Sequence, residues 1–192
     1  MQTKKYQKKK LSLLQTRPHS ILLSFHRTLS VNIQERFSRD YQTYNQSNEP
    51  TSIGLRIEFW TKSLRFFSEA PVFGHGTGST RGLFELAKTG PEGMVQAQVI
   101  SNPHNQTLAF AIQWGVVGVI ILYAMWFAHL ALFRGEGLMA WIGLLVVAQN
   151  MLTSLFNSHL VDFVPGWMYV LGVGVAGGTV LAARAKRLRQ DP

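Results

Sequence analysis

Three short stretches carry side chains suited to proton transfer or to holding an anion. "NPHN", residues 102–105, sets His104 and Asn105 directly before a long apolar run. Imidazole changes charge near neutrality and serves as a general base, so a histidine at the end of a polar segment is placed to take a proton. The same pair also suits a helix start, because asparagine is a strong N-cap, and both readings stand at this point. "GLRIEFW" places Arg56 four residues before Trp60. A guanidinium fork there could bind phosphate oxygens bidentately, or it could lie along a helix surface with its head in solvent. "PVFGHGTGS" offers Gly74, Gly76 and Gly78, whose amides could cradle an anion. It lacks the lysine of a nucleotide phosphate loop and the strand context of a dinucleotide fingerprint, and a turn after a helix accounts for it as well. His75, His129 and His159 stand at no metal-ligand spacing with a carboxylate, so neither a metal nor another cofactor is expected.

Charge is distributed in blocks around these residues. The net +9 of the 192 residues resides at the two ends: residues 1–30 hold seven basic side chains and no acid, and "RAKRLRQDP" ends the chain with four more against Asp191. Residues 31–107 balance seven basic with seven acidic groups. Basic ends around a neutral middle and an apolar back half form a membrane-protein layout rather than a nucleic-acid-binding one. The absence of cysteine excludes a disulfide framework and thiolate zinc sites.

Three apolar runs must position the chemistry. Leu108 to Phe133 is long enough for a transmembrane helix, since about 20 residues suffice. After "RGEG", residues 138–156 make a second span, with Gln149 and Asn150 expected to face other helices. After the polar turn "NSHLVDFVP", residues 166–183 make a third, in which Gly174, Gly177 and Gly178 allow close packing. Because positive charge stays on the cytoplasmic side, residues 184–192 form a cytoplasmic tail. The "RGEG" turn is then cytoplasmic, and residues 35–107 with "NSHLVDF" lie outside, as a helical periplasmic loop. Within that loop an amphipathic helix runs from about Leu55 to Glu69, its apolar residues Ile57, Trp60, Leu64 and Phe67 recurring at helical spacing, with Arg56 on a different face. Residues 1–34 read as a basic arm, disordered or frame-disrupted, in which Arg17, Pro18, His19, His26 and Arg27 prevent a crossing.

Taken in order, "GLRIEFW", "PVFGHGTGS", "NPHNQTLAFAIQWGVVGV" and "FNSHLVDF" resemble the O-antigen ligase family, which shares its domain with O-antigen polymerases and some protein O-oligosaccharyltransferases. The likeness runs from about Arg36 to Ala183; residues 1 to about 34 look unlike the family, whose sequence there should be a transmembrane helix. The resemblance implies an all-α, polytopic protein of the bacterial inner membrane, of which this chain holds three C-terminal spans and would be a fragment of a larger bundle. It implies an inverting glycosyltransferase of lipopolysaccharide biosynthesis, moving polysaccharide from undecaprenyl pyrophosphate to lipid A-core on the periplasmic face. Arg56 would pair with the donor pyrophosphate and His104 would orient or deprotonate the acceptor hydroxyl. Asn105, Gly76 and Gly78 would complete substrate binding, with membrane lipids rather than nucleic acid as the other partners. Polymerase, protein-glycosylating and non-catalytic remnant readings are the alternatives.

Overall fold

The computed structural model describes residues 18–47 and 49–190, and these form helices joined by turns with no strand among them. Helix α1, Pro18–Ser47, packs against helix α2, Ser52–Glu69. Thr51 caps α2: its Oγ1 accepts from Gly54 N at 3.1 Å and donates to Asp40 O at 3.0 Å, tying the cap back to α1. Gly54 lets the chains approach, because a Cβ there would meet the Tyr44 ring at 2.7 Å. The Tyr44 hydroxyl donates to Glu58 Oε2 at 3.4 Å. Burial first, then the Glu58 carboxylate, raise its pKa above the ordinary tyrosine value, so it remains a donor at neutral pH. Glu58 also pairs with Lys62 at 3.3 Å, and Lys62 Nζ donates to Gln96 O at 2.7 Å.

The expected boundary at residue 34 falls inside α1. Residues 18–34 are therefore helical rather than disordered, while residues 1–17 of the expected arm lie outside the described residues. Helix α2 begins three residues earlier than its apolar pattern suggested, and the buried stripe is rotated. Phe59, Ser63 and Phe66 face inward, whereas Leu64 is 57 % exposed. Phe59 and Phe66 both meet Phe84 edge-on, at 5.9 and 5.3 Å between ring centroids, where Phe84 projects from α3, Ser79–Leu86. Ile112 completes this outer core.

Ile112 belongs to α4, Gln106–Leu132, which is not one continuous helix: Gly115, at φ 61° and ψ −154°, breaks it. The expected first span at 108–133 is thus divided, and its first part, through Trp114, packs against the outer segment. Helix α5, Leu138–Thr153, is apolar but only 16 residues long, about 24 Å. Helix α6, Phe163–Gln190, absorbs both the expected third span and residues 184–190 of the basic tail. Two helices, α4 and α6, are long and apolar enough to cross a membrane; α5 is shorter than the expected second span. Their most apolar windows are only 33 % and 28 % buried. Such helices direct apolar side chains outward, as lipid-facing helices do and core helices of water-soluble proteins do not.

Polar contacts lie between the helices. Trp126 Nε1 donates to the buried Asn150 Oδ1 at 3.2 Å, as expected of an amide facing a neighbouring helix, whereas Gln149 is exposed. Of the three expected packing glycines only Gly177 is in close contact, with Leu132 at 3.1 Å from an added Cβ; nothing lies within 4 Å at Gly174 or Gly178.

Candidate functional site

His104 is built into a network that joins three separate parts of the chain. Asn105 ends the extended segment and caps α4: its Oδ1 accepts from Leu108 N at 3.1 Å and its Nδ2 donates to Leu155 O at 3.1 Å. The next residue, Gln106, is fully buried, donating from its backbone to Ser154 O at 2.9 Å and accepting from Leu160 N at 2.8 Å. These bonds bring the 157–162 turn up to His104. The His104 Nδ1 lies 3.0 Å from Asn157 Oδ1, Asn157 Nδ2 donates to Asp162 Oδ2 at 3.1 Å, and Asn102 Nδ2 donates to both Asn157 Oδ1 and Asp162 Oδ1 at 3.2 Å.

The network fixes the imidazole. An ionised carboxylate only accepts, so the Asn157 amide nitrogen must face Asp162 and its carbonyl oxygen must face His104. That carbonyl cannot donate. A ring hydrogen therefore sits on Nδ1, and Nε2 has no hydrogen-bond partner among the described residues. A carboxylate acting through an amide thus fixes the orientation of the His104 ring. Its backbone is held at φ 54°, the one positive value among the described non-glycine residues, with its N–H donating to Asn102 Oδ1 at 2.8 Å. Backbone strain of this kind costs on the order of 1–3 kcal/mol and persists only where the surroundings over-determine it.

Helix α2 supplies the opposite wall. Phe59 stacks on His104, with centroids 6.2 Å apart, and Trp60 Nε1 donates to Pro103 O at 3.2 Å. Arg56 precedes Phe59, Trp60 and Ser63 by three, four and seven residues, so it lies on the same side of the helix, one turn toward its start, not on a separate face. Its side chain is exposed and forms no hydrogen bond or ion pair with the described residues. Arg56 thus stands one turn of α2 before Phe59 and Trp60, the two residues that meet His104 and Pro103.

The glycine turn does something else. His75 N and Gly76 N donate to Ile112 O and Gln113 O, both at 2.9 Å, while Val116 N and Val117 N donate to Pro71 O and Val72 O at 2.8 and 3.4 Å. Gly78 N donates to Gln113 Oε1 at 2.7 Å and Trp114 Nε1 donates to Thr77 Oγ1 at 3.0 Å. Residues 71–78 therefore form a seam across the break at Gly115. The amides of Gly76 and Gly78, expected to bind substrate, are committed to Gln113. His75 is structural as well, its Nε2 lying 2.7 Å from Phe66 O. Asn105 likewise has both amide atoms engaged, and Asn105→Ala is expected to lower stability by about 1 kcal/mol as a lost cap. Asn105→Ser keeps a cap oxygen without setting an acceptor against Leu155 O and should recover part of the loss in a thermal melt in detergent.

Asn102, Asn157 and Asp162, which the structure joins to His104, were not singled out by sequence reasoning. The last two were visible within "NSHLVDF" only as parts of a polar turn.

A family profile described as O-Antigen ligase matches residues 11–123. The match begins at residue 11, so residues 11–34 are not foreign to the family as expected, and it ends within α4 rather than at Ala183. A Haemophilus influenzae protein described as uncharacterized is 34 % identical over 80 residues, which are 40 % of this chain and 19 % of that relative's length. The profile spans more than half of the 192 residues, and the chain belongs to the O-antigen ligase family.

Proposed function

We propose that this chain provides the acceptor-activating face of a membrane glycosyltransferase that moves a glycan from undecaprenyl pyrophosphate to lipid A-core at the periplasmic side of the bacterial inner membrane. The observation that carries the reading is the unpartnered Nε2 of His104, whose ring is oriented through Asn157 and Asp162; an unpaired Arg56 one helical turn before Phe59, which stacks on that ring, supports it. In this reaction Nε2 accepts the proton of the acceptor hydroxyl as its oxygen forms a bond to the anomeric carbon. The bond from that carbon to the pyrophosphate oxygen breaks, with inversion, and the leaving diphosphate keeps the electron pair. Arg56 stabilises the charge that grows on it. One guanidinium leaves a pyrophosphate poorly compensated, so further cations come from additional membrane helices of the complete enzyme.

A chimera tests this, with the chain replacing the corresponding region of an active full-length relative in a strain lacking its own ligase. Lipopolysaccharide carrying O-antigen on a gel is the expected result, lost with Arg56→Ala and retained with His75→Ala or His159→Ala. Longer glycans without attachment to lipid A-core would instead identify a polymerase.

The orientation is tested separately. The chain has no cysteine, so Glu92→Cys in the outer segment should react with a membrane-impermeant thiol reagent added to intact spheroplasts. Glu136→Cys in the opposite turn should not react until the membrane is opened, and labelling of both from outside would reverse the topology.

A further inference from the structure

At the end of the bundle away from His104, the α4–α5 turn and the last third of α6 enclose a cavity of about 510 Å³. Arg134, Arg184 and Arg187 line it against a single carboxylate, Glu136. Arg184 fixes the geometry, its Nη2 donating to Leu132 O at 2.7 Å and Arg134 O at 3.0 Å, so that α6 is pinned to the turn. Arg187, one helical turn further along, presents its guanidinium on the same face. Neither the Arg134 nor the Arg187 side chain has a hydrogen bond or ion pair among the described residues, and Glu136 pairs with none of the three. Leu138, 70 % exposed, and Val180 add apolar surface to the lining beside the arginines.

We propose that this cavity binds the phosphate of an anionic phospholipid headgroup in the leaflet opposite the transfer site. Planar guanidinium groups bind phosphate oxygens bidentately, and basic pockets between membrane helices are a recurrent headgroup site. The placement fits: Phe163 to Ala183 extends about 31 Å along α6, close to the hydrocarbon thickness, which puts Arg184 at the far boundary. The mixed wall favours a lipid over a free ion, because acyl chains leaving a bound headgroup would continue along Leu138 and Val180. The inference rests on the membrane helices and is independent of the proposed catalysis.

The test is native mass spectrometry of the intact chain in neutral detergent, titrated with phosphatidylglycerol and, as the uncharged control, phosphatidylcholine. Phosphatidylglycerol adducts should prevail at least about tenfold. Arg134→Gln with Arg187→Gln should weaken them by about tenfold or more, because direct charge-assisted contacts to the phosphate are lost. This pair leaves the pinning Arg184 in place, and unchanged helical circular dichroism confirms the fold. Lys186→Gln with Arg189→Gln, which removes the same charge outside the cavity, should leave binding within about twofold. Equal losses in the two double variants would overturn the proposal, as would unchanged binding in the first. Displacement by millimolar inorganic phosphate would overturn the lipid assignment in favour of a free-anion site.

Discussion

His104→Gly in the active chimera is expected to lower transfer by at least about a hundredfold while the protein stays folded. Two readings of this histidine, as base and as part of the helix cap, predict different outcomes. Replacement by glycine relieves the positive-φ strain at φ 54° and removes the bond to Asn157. These opposing terms are each about 1 kcal/mol, so stability should change by no more than about that amount. Loss of transfer with an unchanged melting temperature identifies chemistry. Near-normal transfer would return His104 to a role in the cap. Asn157→Leu extends the test, because it leaves the imidazole present but removes the acceptor that holds hydrogen on Nδ1. Transfer should fall, with the apparent affinity for the lipid-linked donor unchanged. A parallel loss of donor affinity would show that the turn contributes to binding rather than to orienting the ring.

Gly115→Ala is expected to be the most damaging single substitution outside the site. At φ 61° and ψ −154° the residue occupies a region essentially restricted to glycine, and an added Cβ would strike the Val72 carbonyl. Neither neighbour can yield, since both are backbone held by the seam. We expect a loss of about 4 kcal/mol or more, the range reserved for backbone conflict of this kind. Gly74→Ala should behave alike, because its Cβ would strike the Gln113 backbone at φ 67°. Gly178→Ala is the control: its Cβ meets nothing within 4 Å, and alanine favours a helix. Melting in detergent and protease sensitivity of residues 52–105 are the measurements. A Gly115→Ala protein as stable and resistant as the control would mean that the seam does not hold the break.

Parts of this architecture were legible because they depend on local pattern. The apolar runs, the end of α2 at Pro71 and the capping chemistry of Asn105 all follow from neighbours in sequence. The phase of α2 was not legible. Phe59 and Phe66 stand seven residues apart, but so do Trp60 and Phe67, and two apolar stripes differing by one residue serve periodicity equally well. Phe84 and Ile112 decide between them, and they reach α2 only because the seam places α4 there. The glycine turn misled for a related reason. Free amides in a Gly-rich loop resemble an anion cradle until the carbonyls they face are known, and those carbonyls belong to a helix 35 to 37 residues later, opened by Gly115 within an otherwise apolar span. The network around His104 required contacts across 53 to 60 residues, with no spacing rule to reveal them.

The seam also imposes an order of assembly. Residues 71–78 leave the ribosome before residues 112–117, so the strip that closes the helix is made, and under the proposed orientation already exported, before the helix it closes enters the bilayer. Without that strip, α4 would hold open backbone groups at Ile112, Gln113, Val116 and Val117, which any contact with hydrocarbon would leave unsatisfied. Maturation of this helix is therefore coupled to the segment ahead of it. Moving the outer segment behind α4 by circular permutation would separate two events that the native chain order keeps in sequence.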